Sequence, residues 1–245
     1  MKNAQLIYGI RAIIEAIEAN KPINKLFIQR GLKGGLFQEL EHKLRKNGIG
    51  FSYVPVEKLN RLTRNNHQGA IAQISPVAFH DFEVLVETIL KGDTTPLFLL
   101  LDQITDVRNF GAIIRTAECT GVNGIIIPKS GSAPITDDTI KTSAGAAFKV
   151  PIAKVNHLKD AIFYLQQSGI QVLAATEKAA KPVYGTDLTL PSAILMGSED
   201  KGISTSILNS TDIQAKLPQL GTIGSLNVSV ACGVFLYEAV RQRTT

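Results

Sequence analysis

Several residue types are scarce in this chain of 245 residues, and each scarcity narrows the possible functions. There is no tryptophan, and the only two cysteines, Cys119 and Cys232, lie in apolar helical patterns, which predicts buried thiols rather than a disulfide or a metal site. The four histidines are scattered without ligand spacing, so no metal is expected. No apolar run reaches membrane length and no signal-peptide core is present, so we expect a cytoplasmic protein without a membrane partner.

Common nucleotide-binding and hydrolase motifs are also missing from the sequence. No GxxxxGK[ST] loop is present, and no GxGxxG follows a first strand, which argues against a P-loop NTPase and against an ordinary Rossmann dinucleotide enzyme. No GxSxG nucleophile elbow occurs either. The chemistry therefore has to come from some other arrangement of loops.

The charge of the chain is distributed unevenly. Residues 1–76 hold 12 lysines and arginines against 5 acidic residues, a net charge of +7, whereas residues 77–245 hold 14 against 16, a net charge of −2. A basic block joined to a nearly neutral body favours a nucleic-acid-binding module, with a merely soluble surface as the alternative.

The first 76 residues alternate between helix-like and strand-like patterns, which predicts a small α/β domain over 1–76. The predicted strands are 25–28, 51–54 and 70–74. A short basic helix over 56–64 and the polar residues after it place Arg61 and Arg64 around the last turn. There they can grip phosphate or stack on bases, or they can simply face solvent.

Residues 77–95 change in composition and contain one amphipathic helix, which is typical of a linker between domains. After them, continuous apolar runs of strand length recur with helical patterns between them. These runs are 96–102, 124–128, 170–175 and 193–197. Such runs are typical of a parallel sheet that is buried on both faces, so we predict an α/β domain over 96–245.

Two loops in this second domain carry chemically useful side chains at the carboxyl ends of apparent strands, where open α/β sheets bind ligands. The first leads into a helix with Asn109 at its start and with Arg108 and Arg115 on one face. The second, over 197–204, is a glycine-bracketed turn that contains Glu199. Taken singly, an arginine on a helix is usually a solvated group, and the second loop is compatible with an ordinary polar turn.

A third loop runs from Leu217 into a C-terminal helix. Its small residues let the backbone come close to a bound molecule, although a tight turn before a helix has the same composition. They are Gly221, Thr222, Gly224 and Ser225. Asn227 stands at the start of the helix, where its amide can cap the backbone or point at a ligand.

These three segments occur in the order LDQITDVRNFGAIIRTAE, LMGSEDKGIS and LPQLGTIGSLNVSVACGVFLYEAVRQR. In order and spacing they resemble the three motifs of the SpoU/TrmH family of RNA ribose 2′-O-methyltransferases, across most of residues 97–243. The N-terminal domain is similar to the ribosomal-protein-like substrate-binding domain of the subgroup that methylates a guanosine in 23S rRNA.

The resemblance implies a catalytic domain with a deep trefoil knot, a homodimer, and S-adenosylmethionine as the cofactor. Carried over by motif, the cofactor contacts fall at Gly197, Leu217 and Leu226, within a loop whose backbone includes Gly221, Thr222 and Ser225. The catalytic set falls at Asn109, Arg115, Glu199 and Asn227, and Arg61, Arg64 and Arg108 are candidate RNA contacts.

The expected reaction is transfer of the sulfonium methyl to a ribose 2′-OH, with no metal required. Arginine stays protonated in proteins, which favours Arg115 as an electrostatic stabiliser of the forming oxyanion over Arg115 as a base. Two alternatives stay open: a methyltransferase that acts on a transfer-RNA ribose, and a catalytically silent, dimeric RNA-binding protein.

Overall fold

In the computed structural model, which describes residues 6–244, the chain packs into two units. The first comprises the residues up to Ala78 together with 134–137, and the second comprises 79–133 and the residues from 138 onward. The predicted domain limits and the linker over 77–95 stay predictions, and their ends at residues 1 and 245 lie outside the described residues.

The first unit is a four-stranded sheet with helices on both faces. Its elements are β1 (Leu6–Tyr8), α1 (Ile10–Glu18), β2 (Ile23–Gln29), α2 (Gly35–Lys46), β3 (Ser52–Val54), α3 (Val56–Leu62) and β4 (Ala70–Ile74). The strand order is β1-β4-β2-β3, with β4 antiparallel to both of its neighbours and β2 parallel to β3. Isoleucines of α1 and leucines of α2 fill the core on one face, and Leu59 of α3 packs with Val54 and Ile71 on the other.

The second unit is built on a parallel sheet of seven strands, as the apolar runs predicted. Its strands are β5 (Leu97–Leu101), β6 (Gly124–Pro128), β7 (Ile152–Val155), β8 (Gln171–Ala175), β9 (Lys181–Pro182), β10 (Ser192–Met196) and β11 (Ile213–Lys216). Its helices are α4 (Phe82–Leu90), α5 (Val107–Cys119), α6 (Asp137–Thr142), α7 (Leu158–Gln167), α8 (Thr205–Leu208) and α9 (Val228–Thr244). Every residue of β5 and β10 is buried, because these central strands are covered on both faces.

The strand order β7-β6-β5-β10-β8-β11-β9 decides where a ligand can bind. The chain first adds β6 and β7 on one side of β5 and then crosses to the other side, where β10 pairs with both β5 and β8. Such a reversal of strand order opens a crevice at the carboxyl ends of the strands. The trefoil knot implied by the family resemblance stays a prediction.

The two cysteines differ from each other in burial. Cys232 is buried in α9, as predicted, and burial raises the pKa of its thiol to about 12. Cys119 is exposed, so that prediction was wrong: it ends α5 outside the buried stripe formed by Phe110, Ile113, Ile114 and Ala117. Within residues 6–244, no helix is both long enough and apolar enough to cross a bilayer.

Candidate active site

The first loop of the candidate site is fixed by the cap of α5. The side chain of Asp106 accepts hydrogen bonds from the backbone N–H groups of Arg108 at 2.9 Å and Asn109 at 2.8 Å. A carboxylate in this position also interacts favourably with the positive end of the helix dipole. The cap therefore holds Asn109 in the first turn of α5, next to the carboxyl end of β5.

The amide of Asn109 joins three loops that are far apart in the sequence. Its Nδ2 donates a close hydrogen bond to Oε1 of Glu199, and its Oδ1 accepts from Nδ2 of Asn227 at 3.1 Å. Glu199 lies 90 residues and Asn227 lies 118 residues along the chain from Asn109. These three predicted catalytic residues thus form one polar chain, which we call the Glu199–Asn109–Asn227 chain.

Asn227 caps the helix, which is one of the two roles that its position suggested, and its contact with a ligand stays a prediction. Its Oδ1 accepts from the backbone N–H and the hydroxyl of Ser229, at 2.9 Å and 2.6 Å, and so caps the start of α9. Its Nδ2 points away from the helix, to Asn109. Because both ends of the amide are engaged, its orientation is determined by the surrounding groups.

The second loop, 197–204, folds back on itself beneath Glu199. Ser198 and Gly202 exchange two backbone hydrogen bonds, of 3.1 Å and 2.9 Å. A Cβ atom on Gly197 would lie 2.2 Å from the carbonyl carbon of Gly202, so only glycine fits there. The buried carboxylate of Asp102, at the end of β5, accepts from the N–H of Ser204 at 3.2 Å and ties the far end of the loop to the sheet.

A cavity of about 370 Å³ opens beside this loop, at the carboxyl ends of β8, β10 and β11. Its lining combines loop backbone with polar and apolar side chains, as in many sites for small molecules. The lining residues are Ala175–Lys178, Met196–Gly202, Lys216, Leu217, Gln219, Gly224–Leu226, Val228, Ala231 and Phe235. Glu199 belongs to this lining, so the Glu199–Asn109–Asn227 chain ends at the wall of the cavity.

Most of the predicted cofactor contacts lie at this cavity. Gly197, Leu217, Ser225 and Leu226 line it, whereas the exposed Gly221 and Thr222 belong to the same loop but are outside the lining. The amide nitrogen of Gln219, in the orientation that satisfies its neighbours, donates to the carbonyl of Gly224 at 2.9 Å and closes the loop.

The sequence analysis missed the contribution of β8 to the cavity. Thr176, Glu177 and Lys178 follow that strand directly and line the cavity. The signal was present, because the apolar run 170–175 was recognised as a strand and its carboxyl end lies on the binding edge of the sheet. The sequence did not show that β8 pairs with β10, and this pairing brings the end of β8 to the cavity.

The predicted arginines lie apart from the Glu199–Asn109–Asn227 chain. Arg115 is exposed on a different face of α5 from Asn109, and it makes no hydrogen bond or ion pair with the described residues. Arg108 is exposed at the start of α5, where it lines a second cavity together with Lys141 of α6. Arg61 and Arg64 belong to the first unit and are exposed. Within residues 6–244, no three histidine, cysteine, aspartate or glutamate side chains gather as metal ligands would.

A parallel sheet with a polar chain and a cavity at its carboxyl edge defines an α/β enzyme that acts on a bound small molecule or cofactor. The chain belongs to the SpoU rRNA methylase family, whose model matches residues 96–237. A second family model, for the substrate-binding domain of RNA 2′-O ribose methyltransferases, matches residues 6–80. The protein is therefore an RNA methyltransferase of this family with an RNA substrate-binding domain.

Known proteins resemble the chain over nearly its whole length. It is 34% identical, over 99% of its own length and 98% of the relative's, to the 23S rRNA (guanosine-2′-O-)-methyltransferase RlmB of Pseudomonas putida. The crystal structure of the SpoU methyltransferase AviRb from Streptomyces viridochromogenes, in complex with AdoMet, matches with a TM-score of 0.61 and 26% identity over 98% of this chain and 90% of that one. Over a smaller part, 66% of this chain and 82% of the other, the crystal structure of the A. aeolicus TrmH/SpoU tRNA modifying enzyme matches with a TM-score of 0.58 and 30% identity.

Proposed function

We propose that this protein transfers the methyl group of S-adenosylmethionine to the 2′-OH of a guanosine in 23S rRNA. The observation that carries the proposal is the Glu199–Asn109–Asn227 chain, which reaches the wall of a cavity in an RNA methyltransferase fold. An rRNA substrate also agrees with the similarity to RlmB, because that similarity extends over both units rather than over the catalytic unit alone. Such a substrate would place the protein in the cytoplasm.

The cavity suits S-adenosylmethionine in size and chemistry. Its volume of about 370 Å³ lies within the usual range for small-molecule sites. Apolar side chains such as Leu217, Leu226 and Phe235 can pack against a flat base, and the loop backbone offers hydrogen-bonding groups. A Cβ atom on Gly224 would meet nothing within 4 Å, so the space beside the backbone is open to a ligand here. The cofactor, once bound, supplies a methyl group that its positive sulfur already activates, so the proposal requires no metal.

The protein's own part is to orient the reactants and to stabilise charge. A ribose hydroxyl is hardly ionised near neutral pH, so a protein group has to favour the developing oxyanion. In the proposal Arg115 supplies that positive charge, and Asn109, Glu199 and Asn227 orient the reacting groups. The carboxylate of Glu199 is held by the amide of Asn109, whose own orientation is fixed by Asn227.

The position of Arg115 leads to a homodimer. Arg115 lies on a different face of α5 from Asn109 and is not hydrogen-bonded to the polar chain of its own protomer, so in the proposal a second copy brings an equivalent arginine to that site. An apolar face of α9 offers the contact, because Val230, Val234 and Tyr237 are 53%, 36% and 55% exposed. A helix that is apolar on all sides is normally buried, and a second copy of the chain would cover this face.

Mixed dimers test where Arg115 acts. Arg115→Ala and Glu199→Ala proteins should each be nearly inactive alone. If Arg115 works in the partner's site, a heterodimer of the two variants has one intact site, and an equilibrated mixture should regain about a quarter of the wild-type rate by the statistics of a two-fold dimer. A mixture that stays inactive although the subunits exchange would place Arg115 in the site of its own protomer.

The substrate is tested in cells that lack this protein. Ribose methylation is mapped in ribosomal and transfer RNA before and after the gene is restored. Loss and return of one 2′-O-methylguanosine in 23S rRNA would support the proposal. Loss from a tRNA would favour the second candidate, which the similarity to the A. aeolicus tRNA modifying enzyme supports. No change in either RNA would favour a silent RNA-binding protein.

A further inference from the structure

Four loops of the first unit lie at the same edge of its sheet. The strands β1, β2 and β3 run parallel to one another and end at this edge, and the antiparallel β4 begins there. Two backbone hydrogen bonds hold the junctions together, from Gly9 N–H to the Ala70 carbonyl at 3.1 Å and from Arg30 N–H to the Val54 carbonyl at 2.9 Å. We call this the loop edge, and it comprises residues 9–11, 30–36, 55–57 and 63–69.

The loop edge carries cations without acidic partners. Arg11 lies in the first turn of α1, and Arg30 and Lys33 lie in the loop from β2 to α2. All three are exposed, and none forms an ion pair with the described residues. Glu57 is the one carboxylate in these described segments. With Arg64, the loop edge therefore carries four cations against one carboxylate.

The other end of the same unit is different. There the end of α1 and the second half of α2 pair their charges, with Lys43 bound to Glu18 at 2.6 Å and Arg45 bound to Glu41 at 2.9 Å. Four of the five acidic residues of segment 1–76 lie on these two helices. Lys21, Lys25 and Lys46 are also exposed at that end. The loop edge holds four cations and one carboxylate, a net charge of +3, whereas the five cations of the opposite end are offset by the four acidic residues of α1 and α2. The net positive charge is therefore larger at the loop edge.

The loop edge is also accessible to a long, charged ligand. Between Arg30 and Lys33 the chain contains Gly31, and Gly34 follows; a Cβ atom on either glycine would meet nothing within 4 Å. A phosphate backbone can therefore approach the loop without displacing side chains. Basic side chains beside exposed backbone are the usual means of contacting nucleic-acid phosphates.

We infer that the loop edge is the surface on which the first unit grips its RNA, with Arg11, Arg30 and Lys33 contacting successive phosphates. This inference rests on the proposed function, since it assigns the surface that holds the methylation substrate. It adds three residues to the candidate RNA contacts Arg61 and Arg64. It also excludes the opposite end of the unit from the RNA-binding surface.

A pair of matched triple variants of the full-length protein tests the inference. The first, Arg11→Ala/Arg30→Ala/Lys33→Ala, removes three cations from the loop edge, and the second, Lys21→Ala/Lys25→Ala/Lys46→Ala, removes three from the opposite end. The probe is an unmethylated transcript of 23S rRNA, whose dissociation constant is measured as a function of salt. Binding of S-adenosylmethionine, measured by calorimetry, serves as the control for folding.

The loop-edge variant should bind the transcript at least about 10-fold more weakly. The slope of log affinity against log salt concentration should be smaller by about 2 to 3, because fewer counterions are released when fewer phosphates are contacted. Its KM for RNA should rise while kcat and cofactor binding are unchanged. The opposite-end variant should behave like the wild type. Equal weakening in both variants, or weakening only in the second, would overturn the inference and leave the proposed function intact. A wild-type protein that failed to bind the transcript would overturn the proposed function itself.

Discussion

At the residue scale, the candidate site depends on side chains that each serve two partners. Asn227 caps α9 with its oxygen and holds Asn109 with its nitrogen, and Asn109 in turn holds Glu199. Such chains of hydrogen bonds fix the orientation of every member, so a change in the middle affects both ends. Asn109 is therefore the most informative residue to replace.

We expect Asn109→Ala to lower the methylation rate by about 10²-fold, because it frees the carboxylate of Glu199 and the amide of Asn227 together. Since Asn109 does not line the cavity, the affinity for S-adenosylmethionine should change little. The measurement is a kinetic double-mutant cycle with Glu199→Ala. If Asn109 acts through Glu199, the double variant should be no slower than the slower single variant. Fully additive losses would contradict this linkage.

Two glycines of the third loop allow a second comparison. Gly224 lines the cavity and Gly221 does not, although a Cβ atom on either would meet nothing within 4 Å. Gly224→Val should therefore weaken the binding of S-adenosylmethionine by about 10-fold or more, by placing a branched side chain in the cavity, and Gly221→Val should weaken it less. Calorimetry on the two variants measures the difference. Equal losses would show that the loop binds the cofactor in another conformation.

At the element scale, α9 is held at both ends. Asn227 caps its start, and the guanidinium of Arg243 donates to the backbone carbonyls of Thr95, Pro96, Leu188 and Leu190 near its end. Partial burial lowers the pKa of Arg243. Among the described residues, no carboxylate forms an ion pair with its guanidinium group. Those carbonyls precede β5 and β10, so Arg243 fixes the end of α9 to the amino-terminal ends of the two central strands.

We expect Arg243→Met to lower the free energy of unfolding by about 3 kcal/mol, because it leaves several partly buried carbonyls without a donor. Urea denaturation of the variant measures this loss. Arg243→Lys should recover only part of it, since an ammonium group cannot reach four carbonyls in the planar geometry of arginine. A methionine variant as stable as the wild type would show that water satisfies these carbonyls equally well.

At the scale of the whole molecule, the two units have separate cores and separate chemistry. The core of the first unit includes Ile13, Leu26 and Leu40, and that of the second is built on β5, β8 and β10. The net positive charge lies in the first unit, whereas the polar chain and the cavity belong to the second. Affinity for RNA and catalysis should therefore be separable.

A fragment of residues 79–245 should bind S-adenosylmethionine with the affinity of the full chain but lose most of its affinity for RNA. The physical reason is that the fragment keeps the entire lining of the cavity and loses the +7 block of charge. Calorimetry with the cofactor and filter binding with the 23S transcript measure the two affinities. Undiminished RNA binding by the fragment would contradict the assignment of RNA affinity to the first unit.

The sequence by itself determined the elements and the binding edge. Apolar periodicity marked α1, α2, α5 and α9, because each buries one stripe or more of its surface. Continuous apolar runs marked β5, β6, β8 and β10, because those strands are covered on both faces. Polar residues directly after such strands had to lie at the carboxyl edge, so Glu199 and Asn109 were identified as candidates before their contact was known. The small residues after Leu217 and the position of Asn227 at the start of α9 marked a third candidate segment, and the family motifs assigned roles to all three.

Only the tertiary structure decided which of these residues meet. Strand order places β10 between β5 and β8, and this order brings Glu199 to Asn109 and adds Thr176 to Lys178 to the cavity. Packing also leaves Cys119 exposed. Periodicity reports how a residue is oriented on its own helix or strand, but the pairing of distant segments depends on packing across the whole sheet, and no local pattern encodes it.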